Sequence, residues 1–395
     1  MNTMRNKFLA VGLAAGAGIA LAASAYAEDK KMPEKAGVPT LGQIMEATGV
    51  SINGYIDASY TSLSGSGTFN DAASTPNRVF DRERRSFNVN ALDLTLSALP
   101  PDGFGGMVNL TAGSDANVMA SVGTTADEFD VTQAYVHFAS GGLMAIAGKY
   151  VTLSGAEVIK SPANANFSRS ILFGYAIPFT HTGVRAYFTP GGSAVAPDGK
   201  WTLIAGLNNG WDVQSESKQA TATDGSLADG KTLELGLSGN LTKSVALAVV
   251  YYSGNESAGA LETGKRDLLD IVATFNLTDN LSLVLNYDKA EQAKALASGA
   301  AKWNGTAGYV NYKLSDLWRV SLRAESFDDK DGVRTGVAQK WKETTLTLAY
   351  TPNKNVELRA EARTDSSDQA SFNQPDGAAA KKDQSSYGLE AIYKF

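Results

Sequence analysis

The chain has 395 residues with 35 Lys and Arg, 41 Asp and Glu, and a net charge of −6 at pH 7. It contains 39 glycines, 11 prolines and no cysteine, which excludes a disulfide scaffold and a cysteine-based zinc site. The acidic balance argues against a nucleic-acid-binding protein, because such a protein needs a basic face to displace counterions from phosphates. An apolar content of 43% also argues against a disordered chain.

The first 27 residues have the pattern of a secretory signal peptide. Arg5 and Lys7 precede an apolar run over 8–23, and Ala25-Tyr26-Ala27 supplies the small residues that signal peptidase requires. The apolar run is short for a transmembrane helix and ends at a cleavage site. We therefore predict a signal peptide at 1–27, cleavage before Glu28, and export into the periplasm.

Residues 28–49 form a charged segment that ends in a candidate helix. Thr40 is a suitable N-cap, Leu41, Ile44 and Met45 share one helical face, and Gly49 is a suitable stop. The pattern predicts a short periplasmic segment whose helix lies at the periplasmic mouth of a barrel or partly inside it. A loosely ordered tail is the alternative.

From about residue 50 the polarity of the chain alternates with a period of two, which is typical of β-strands with one apolar and one polar face. Near the C-terminus, for example, Leu358, Ala360 and Ala362 alternate with Arg359 and Glu361. The same alternation recurs at 52–60, 183–188, 201–207, 233–237, 269–277, 281–287 and 318–325.

The breaks between the alternating segments differ in length. Short polar turns lie at 100–103, 140–142, 240–243, 278–280, 315–316 and 352–355, and a connection of intermediate length lies at 190–199. Longer stretches lie at 63–84, 114–128, 152–170, 211–230, 254–265, 290–303, 328–341 and 365–384. This arrangement predicts about sixteen strands.

A barrel explains this asymmetry better than a soluble sandwich, whose loops show no consistent long and short sides. Outer-membrane barrels have short periplasmic turns, longer outside loops, an apolar lipid face and a polar lumen. They must also close, because an open strand edge in lipid would leave backbone groups unpaired. We therefore predict an all-β fold in which 50–395 form a transmembrane antiparallel up-and-down β-barrel in the outer membrane.

The third long connection, 152–170, is the candidate constriction of a channel. Such a loop folds into the lumen of sixteen-stranded porins, and rings of charge at a constriction bias ion passage. Pro178 lies just beyond it and predicts a bulge or a late strand start. The predicted constriction consists of the loop residues Glu157, Lys160 and Arg169 and the wall residues Arg185, Arg319, Arg323, Glu325, Arg359, Glu361 and Arg363. An outside loop held by a surface ion pair is the alternative.

The last strand carries a candidate assembly signal. Tyr393 and Phe395 lie on one face at its end, in the pattern that the outer-membrane insertion machinery reads, although Glu390 replaces a frequent glycine. With Trp201, Trp318 and Tyr350 they also suit the aromatic girdle of a membrane barrel.

Several segments resemble the putative β-barrel porin-2 (OmpL-like) family. They are Gly148-Lys149-Tyr150, Gly155, Glu157, 166–170, 177–183 and, at the first strand, 48–55. The resemblance is sharpest over 148–185. It implies a Gram-negative outer-membrane channel and no particular solute.

A catalytic reading is weak. His137 and His181 are the two histidines, and a pair of Ser168 with His181 has neither a Gly-x-Ser-x-Gly elbow nor an evident acid. Asp328-Asp329-Lys330-Asp331-Gly332 resembles a calcium loop only faintly, since Phe327 replaces the first ligand. We expect no enzyme activity, cofactor or metal.

The sequence predicts a porin that passes small hydrophilic solutes or ions by diffusion. Its expected partners are outer-membrane lipid, the assembly machinery and such solutes, with a homotrimer expected from barrels of this size. A plugged or narrow barrel with a structural or adhesive role through its outside loops is the alternative.

Overall fold

The computed structural model describes residues 40–64, 78–82, 85–119, 128–193, 201–214, 230–258, 261–297, 299–374 and 379–395. The predicted signal peptide, its cleavage before Glu28 and residues 28–39 lie outside these ranges, so those predictions stay untested.

Sixteen strands form one closed antiparallel barrel, in which each strand pairs with its neighbours in sequence and the first pairs with the last. This confirms the predicted fold class. The strands are β1 (Ser51–Leu63), β2 (Ser86–Ala98), β3 (Gly103–Ala112), β4 (Phe129–Ser140), β5 (Leu143–Val151), β6 (Thr180–Phe188), β7 (Thr202–Asn208), β8 (Thr232–Thr242), β9 (Val245–Ala258), β10 (Leu261–Asn276), β11 (Leu281–Leu296), β12 (Gly299–Lys313), β13 (Trp318–Asp329), β14 (Gln339–Asn353), β15 (Val356–Ser367) and β16 (Asp383–Lys394).

Closure depends on a close approach between β1 and the end of the chain. Gly54 and Phe395 exchange two backbone hydrogen bonds, each 3.0 Å long, and the register continues through Ala58 opposite Ala391. A Cβ on Gly54 would lie 2.3 Å from the carbonyl oxygen of Asp93 and 2.7 Å from the Phe395 ring. Glycine at position 54 therefore lets β1 fit between β2 and the terminal phenylalanine.

The two faces of the wall have opposite chemistry, as the alternation predicts. On β15, Leu358 points outward with 43% of its surface exposed, whereas Arg359 points into the lumen and is 2% exposed. At the end of the barrel with the short turns, outward aromatic residues pair along the rim, with ring centroids 4.5 Å apart for Trp318 and Tyr350 and 6.4 Å apart for Tyr393 and Phe395.

Two predicted long connections are wrong. Strand pairing continues through 254–265 as far as Leu261 opposite Ala258, and through 290–303 as far as Leu296 opposite Gly299. The apolar alternation fades in these stretches because they extend past the apolar band, yet the backbone ladder continues. By contrast, the late start predicted from Pro178 is confirmed, since β6 begins at Thr180.

Two α-helices accompany the strands in the described ranges: α1 (Leu41–Thr48) and α2 (Ser114–Met119). Thr40 caps α1 by accepting from the backbone N–H of Gln43 at 3.3 Å, and Gly49 ends it in the left-handed conformation with φ of 66°. Because β1 begins at Ser51, α1 lies at the end of the barrel with the short turns. Neither helix is long and apolar enough to cross a membrane.

We predict that Gly54→Ala lowers the temperature at which the SDS-resistant barrel unfolds on a heated gel, because the added methyl group overpacks the closure by about 1–3 kcal/mol. Gly308→Ala on β12 is the matched control, since its nearest atom would lie at an ordinary 3.7 Å. Equal unfolding temperatures for the two variants would contradict the closure argument. A wild-type protein that migrates identically with and without boiling would contradict the barrel.

Candidate functional site

The connection between β5 and β6, residues 152–179, runs through the lumen and is called the inner loop below. It contains a 3-10 turn at Ser161–Ala163 and a π-helical turn at Leu172–Ala176. Near its start, the backbone N–H of Gly155 donates to Asp270 on β10 at 3.1 Å, and that of Ala156 donates to Asn286 on β11 at 3.2 Å. Its later residues contact β12 to β16, so the inner loop crosses the barrel.

Two carboxylates of the far wall fasten the inner loop by accepting adjacent backbone N–H groups. The pairs are Phe167 and Ser168 on Glu361, at 2.8 and 3.1 Å, and Ile171 and Leu172 on Glu325, at 2.7 and 3.1 Å. Both carboxylates are buried. Hydrogen bonds to charged groups are stronger than neutral ones, so each pair is a firm attachment.

Wall arginines bind the backbone carbonyl groups of the same segment. Arg359 donates to Ser161, Asn164 and Asn166 at 3.1, 2.9 and 3.2 Å. The other donors are Arg319 to Ala165 at 3.1 Å, Arg323 to Ser168 at 2.6 Å and Arg363 to Arg169 at 2.7 Å. The four arginines therefore hold nearly every carbonyl between 164 and 169.

Each of these arginines also pairs with a carboxylate, which compensates for its burial. The pairs are Arg319 with Glu357 at 3.0 Å, Arg323 with Glu157 at 2.7 Å and with Glu343 at 3.0 Å, Arg359 with Glu357 at 2.9 Å and with Glu390 at 3.0 Å, and Arg363 with Asp365 at 2.7 Å. Arg323 joins a loop carboxylate to a wall carboxylate and is at the centre of the network.

The structure brings together most of the residues predicted for the constriction, but two of them act differently. The side chain of Arg169 binds within the inner loop, donating to the carbonyls of Val158 and Phe167 at 3.2 and 2.9 Å, rather than facing wall charges. Arg185 pairs with Glu234 on the neighbouring wall at 2.8 Å and also donates to the carbonyl of Val151 at 3.1 Å and to the hydroxyl of Tyr187 at 3.3 Å. Backbone carbonyls of the inner loop satisfy Arg169, whereas a carboxylate on a nearby strand satisfies Arg185.

Lys160 reaches the opposite wall. Its ammonium group lies 3.1 Å from Asp93 and donates to Thr95 at 2.7 Å, both on β2. One third of the Lys160 side chain stays exposed, whereas Asp93 is buried.

Sequence reasoning missed an apolar cluster inside the lumen. Phe173 and Phe179 of the inner loop pack against Phe80, with ring centroids 5.9 and 5.7 Å from it in tilted and edge-to-face arrangements. The indole N–H of Trp303 donates to the carbonyl of Ala176 at 3.0 Å. Further buried aromatic members come from the wall and from the last long connection: Phe327, Trp341 and Phe372. The sequence contains a signal for this cluster, because Trp303, Phe327 and Trp341 alternate in phase with the polar residues that point inward.

Residues 78–82 of the first long connection also enter the lumen. Arg78 binds Asp81, and it binds Asp365 and Ser386 on the wall at 2.7 and 2.9 Å. Burial raises the pKa of Asp81 to about 6, although the Arg78 guanidinium opposes this shift. The cavity between this segment and the inner loop has a volume of about 10 Å³, which is room for one water molecule at most.

The Ser168 and His181 pair considered above has separate surroundings. Ser168 accepts from Arg323 at 3.0 Å, whereas His181 stacks on Tyr252, with ring centroids 4.7 Å apart, and its Nδ1 contacts the carbonyl of Gly210. Each side chain is accounted for by packing and anchoring.

Comparison with known protein families assigns the chain to one of them. The family described as "Putative beta-barrel porin-2, OmpL-like" matches residues 49–395. The chain belongs to this family. This confirms the resemblance found in the sequence, and it assigns a porin barrel of the outer membrane.

Solved structures share the fold at low sequence identity. An anion-selective porin from Comamonas acidovorans has a TM-score of 0.62 and 14% identity, covering 88% of this chain and 99% of its own. The outer membrane channel DcaP of Acinetobacter baumannii has a TM-score of 0.59 and 15% identity, covering 88% and 97%. The trimer form of Vibrio cholerae OmpT has a TM-score of 0.53 and 11% identity, covering 88% and 99%. No curated protein sequence matches the chain.

We predict that Arg323→Met destabilises the barrel strongly, because it leaves the buried Glu157 without its cation and Glu343 with only the distant Arg363, at 3.9 Å. Breaking a buried pair in this way costs about 3–5 kcal/mol. Lys302→Met is the control, since the Lys302–Glu291 pair is half exposed and such pairs contribute about 0–1 kcal/mol. Heated gels should show a clear loss of SDS resistance for Arg323→Met alone. Equal behaviour of the two variants would show that the inner loop is not held by this network.

Proposed function

We propose that this porin is a passive diffusion channel for small hydrophilic solutes or ions, narrowed by the inner loop. The observation that carries the proposal is the fastening of the inner loop across the lumen of a closed barrel. Burying a polar solute in hydrocarbon is costly, and a polar lumen removes that cost without chemistry. The loop then sets the cross-section that remains.

The site residues have distinct proposed roles in this channel. Arg319, Arg323, Arg359 and Arg363, together with Glu325 and Glu361, hold the loop in place. Glu157 ties the loop to Arg323, and Lys160 ties it to β2. The same charged side chains then line the part of the lumen that the inner loop leaves open. Arg185 and Arg169 support the wall and the loop fold respectively.

The solved neighbours support a channel function, since they include an anion-selective porin and an outer membrane channel. The proposal includes export through the periplasm with cleavage before Glu28, followed by insertion by the assembly machinery through Tyr393 and Phe395. Outer-membrane lipid then contacts the outward apolar face.

We also propose a homotrimer, supported by the trimer form of the Vibrio cholerae neighbour. The protein extracted from outer membranes should migrate on unheated gels, after mild amine cross-linking, at three times the mass of the heated chain. Migration at the mass of one chain under the same conditions would contradict the trimer.

A second candidate is a plugged barrel with a structural or adhesive role. The specific observation in its favour is the packing of the π-helical turn, where Leu172, Phe173 and Ala176 are each at most 2% exposed among aromatic residues of the wall. A plug of this kind would block solutes while leaving the outside loops free to act.

Deletion of 156–168 separates the two candidates in planar bilayers. We expect the wild type to conduct in stable steps and the deletion to conduct more, because the loop removed occupies the lumen. A deletion of equal length at 216–228, in the predicted fourth long connection, is the control. Heat modifiability on gels shows that each variant is folded.

The outcomes of this experiment are distinct. A folded wild type that does not conduct, combined with a conducting deletion, supports the plugged barrel. Equal conductance of the wild type and the 156–168 deletion contradicts a constriction by the inner loop.

A further inference from the structure

Positive and negative side chains in the lumen differ in how far they are exposed to solvent. Every inward-facing carboxylate with a described side chain on β1 to β16 is buried, including Asp93, Glu357 and Glu390. Asp93 faces Lys160, and Glu357 and Glu390 face Arg359. A buried carboxylate cannot replace the water shell of a passing cation.

Three partly exposed cations near the short-turn end of the lumen are each paired with a buried carboxylate. Lys160 is 33% exposed beside Asp93 at 2%, Arg319 is 33% exposed beside Glu357 at 6%, and Lys394 is 31% exposed beside the same Glu357. In each pair the cation lies toward solvent and the anion lies toward the wall.

A fourth partly exposed cation provides a contrast. Lys313 is 30% exposed, but its partner Asp316 in the short turn is 94% exposed, so that pair presents both signs to solvent. The asymmetry therefore belongs to Lys160, Arg319 and Lys394 and is not a general property of this rim, since Lys313 lies opposite Arg319 in the strand register.

The charged groups of the three cations lie toward the end of the barrel with the short turns. Arg319 and Lys394 are at the ends of β13 and β16 that meet the short turns, and Lys160 contacts Thr95 near the corresponding end of β2. Arg319 and Lys394 also bracket Glu357 together with Arg359, so three cations surround one carboxylate. We call this part of the lumen, between the inner loop and the short turns, the vestibule.

The exposed groups retain donors for an anion. Lys394 contacts Glu357 at a long 3.5 Å, and Lys160 uses two donors, on Asp93 and Thr95. An ammonium group has three N–H donors, so Lys394 and Lys160 can each bind an anion without releasing their carboxylate.

We propose that the vestibule gives the channel a preference for small anions, set by Lys160, Arg319 and Lys394. This inference rests on the proposed channel function and adds the class of ion that it favours. The exposed cations raise the local concentration of inorganic or carboxylate anions at the entrance to the narrow path, and the buried carboxylates offer cations no equivalent contact.

The test is the reversal potential of the full mature chain in planar bilayers under a tenfold KCl gradient. We expect chloride to be preferred over potassium in the wild type. Lys394→Gln and Lys160→Gln should each reduce the permeability ratio by about two- to threefold, which is the effect of one unit charge about 6–10 Å from an ion in water. Arg319→Gln should act in the same direction, and the triple variant should lose the preference.

Lys354→Gln is the matched control, because Lys354 is exposed in a short turn on the same side of the barrel but outside the lumen. Its ratio should equal that of the wild type. If Lys354→Gln shifts the ratio as much as Lys394→Gln, surface charge rather than the vestibule sets the preference and the inference fails.

The remaining outcomes separate this inference from the proposed function. Conductance with a potassium preference, or an unchanged ratio in the triple variant, overturns the vestibule but leaves the channel intact. A folded, heat-modifiable wild type without conductance overturns the channel and the vestibule together. Lys394→Gln does not touch the inner loop, so its effect cannot be attributed to loop displacement.

Discussion

The backbone of the inner loop is the constraint on which this lumen depends. A strand satisfies its N–H and C=O groups through its neighbours, but a loop carried into the barrel has no ladder to join. Between Ser161 and Leu172 the wall supplies the missing partners as charged side chains. Carboxylates accept the N–H groups, arginines donate to the carbonyls, and the residue types of the wall follow from the needs of the loop.

This arrangement explains why both signs of charge are concentrated on β13 to β16. An arginine buried against backbone carbonyls alone would lose its hydration, and the hydrogen bonds to those carbonyls would not compensate for the loss. Each arginine therefore also needs a carboxylate. Glu343, Glu357, Glu390 and Asp365 fill that role on adjacent strands. The charges of this wall are therefore mostly committed to each other and to the loop, and their number alone does not indicate which ions pass.

The sequence was sufficient to predict the barrel, because its alternation of polarity, its turn lengths and its terminal aromatic residues all depend on local backbone geometry and on contact with lipid. It predicted the inner loop and most of its charged partners for the same reason, since inward phase can be read from alternation. It could not predict that Arg169 folds back on Val158 and Phe167, or that Arg185 pairs with Glu234, because those choices depend on which acceptor is nearest in three dimensions. The ends of β9 to β12 were also missed, because backbone pairing continues after the apolar alternation stops.

The aromatic residues that point inward divide the lumen into a filled part and a more open part. Trp303, Phe327 and Trp341 pack against the π-helical turn, so the part of the lumen that they line is occupied by protein. On the opposite side of the inner loop, inward residues near the short turns remain partly exposed, and the cations among them are the accessible charges. The apolar cluster fixes the loop from one side and the charged network fixes it from the wall. The vestibule is where a solute meets the accessible charges of this wall, and its three exposed cations can act on that solute because the loop has already engaged the other arginines.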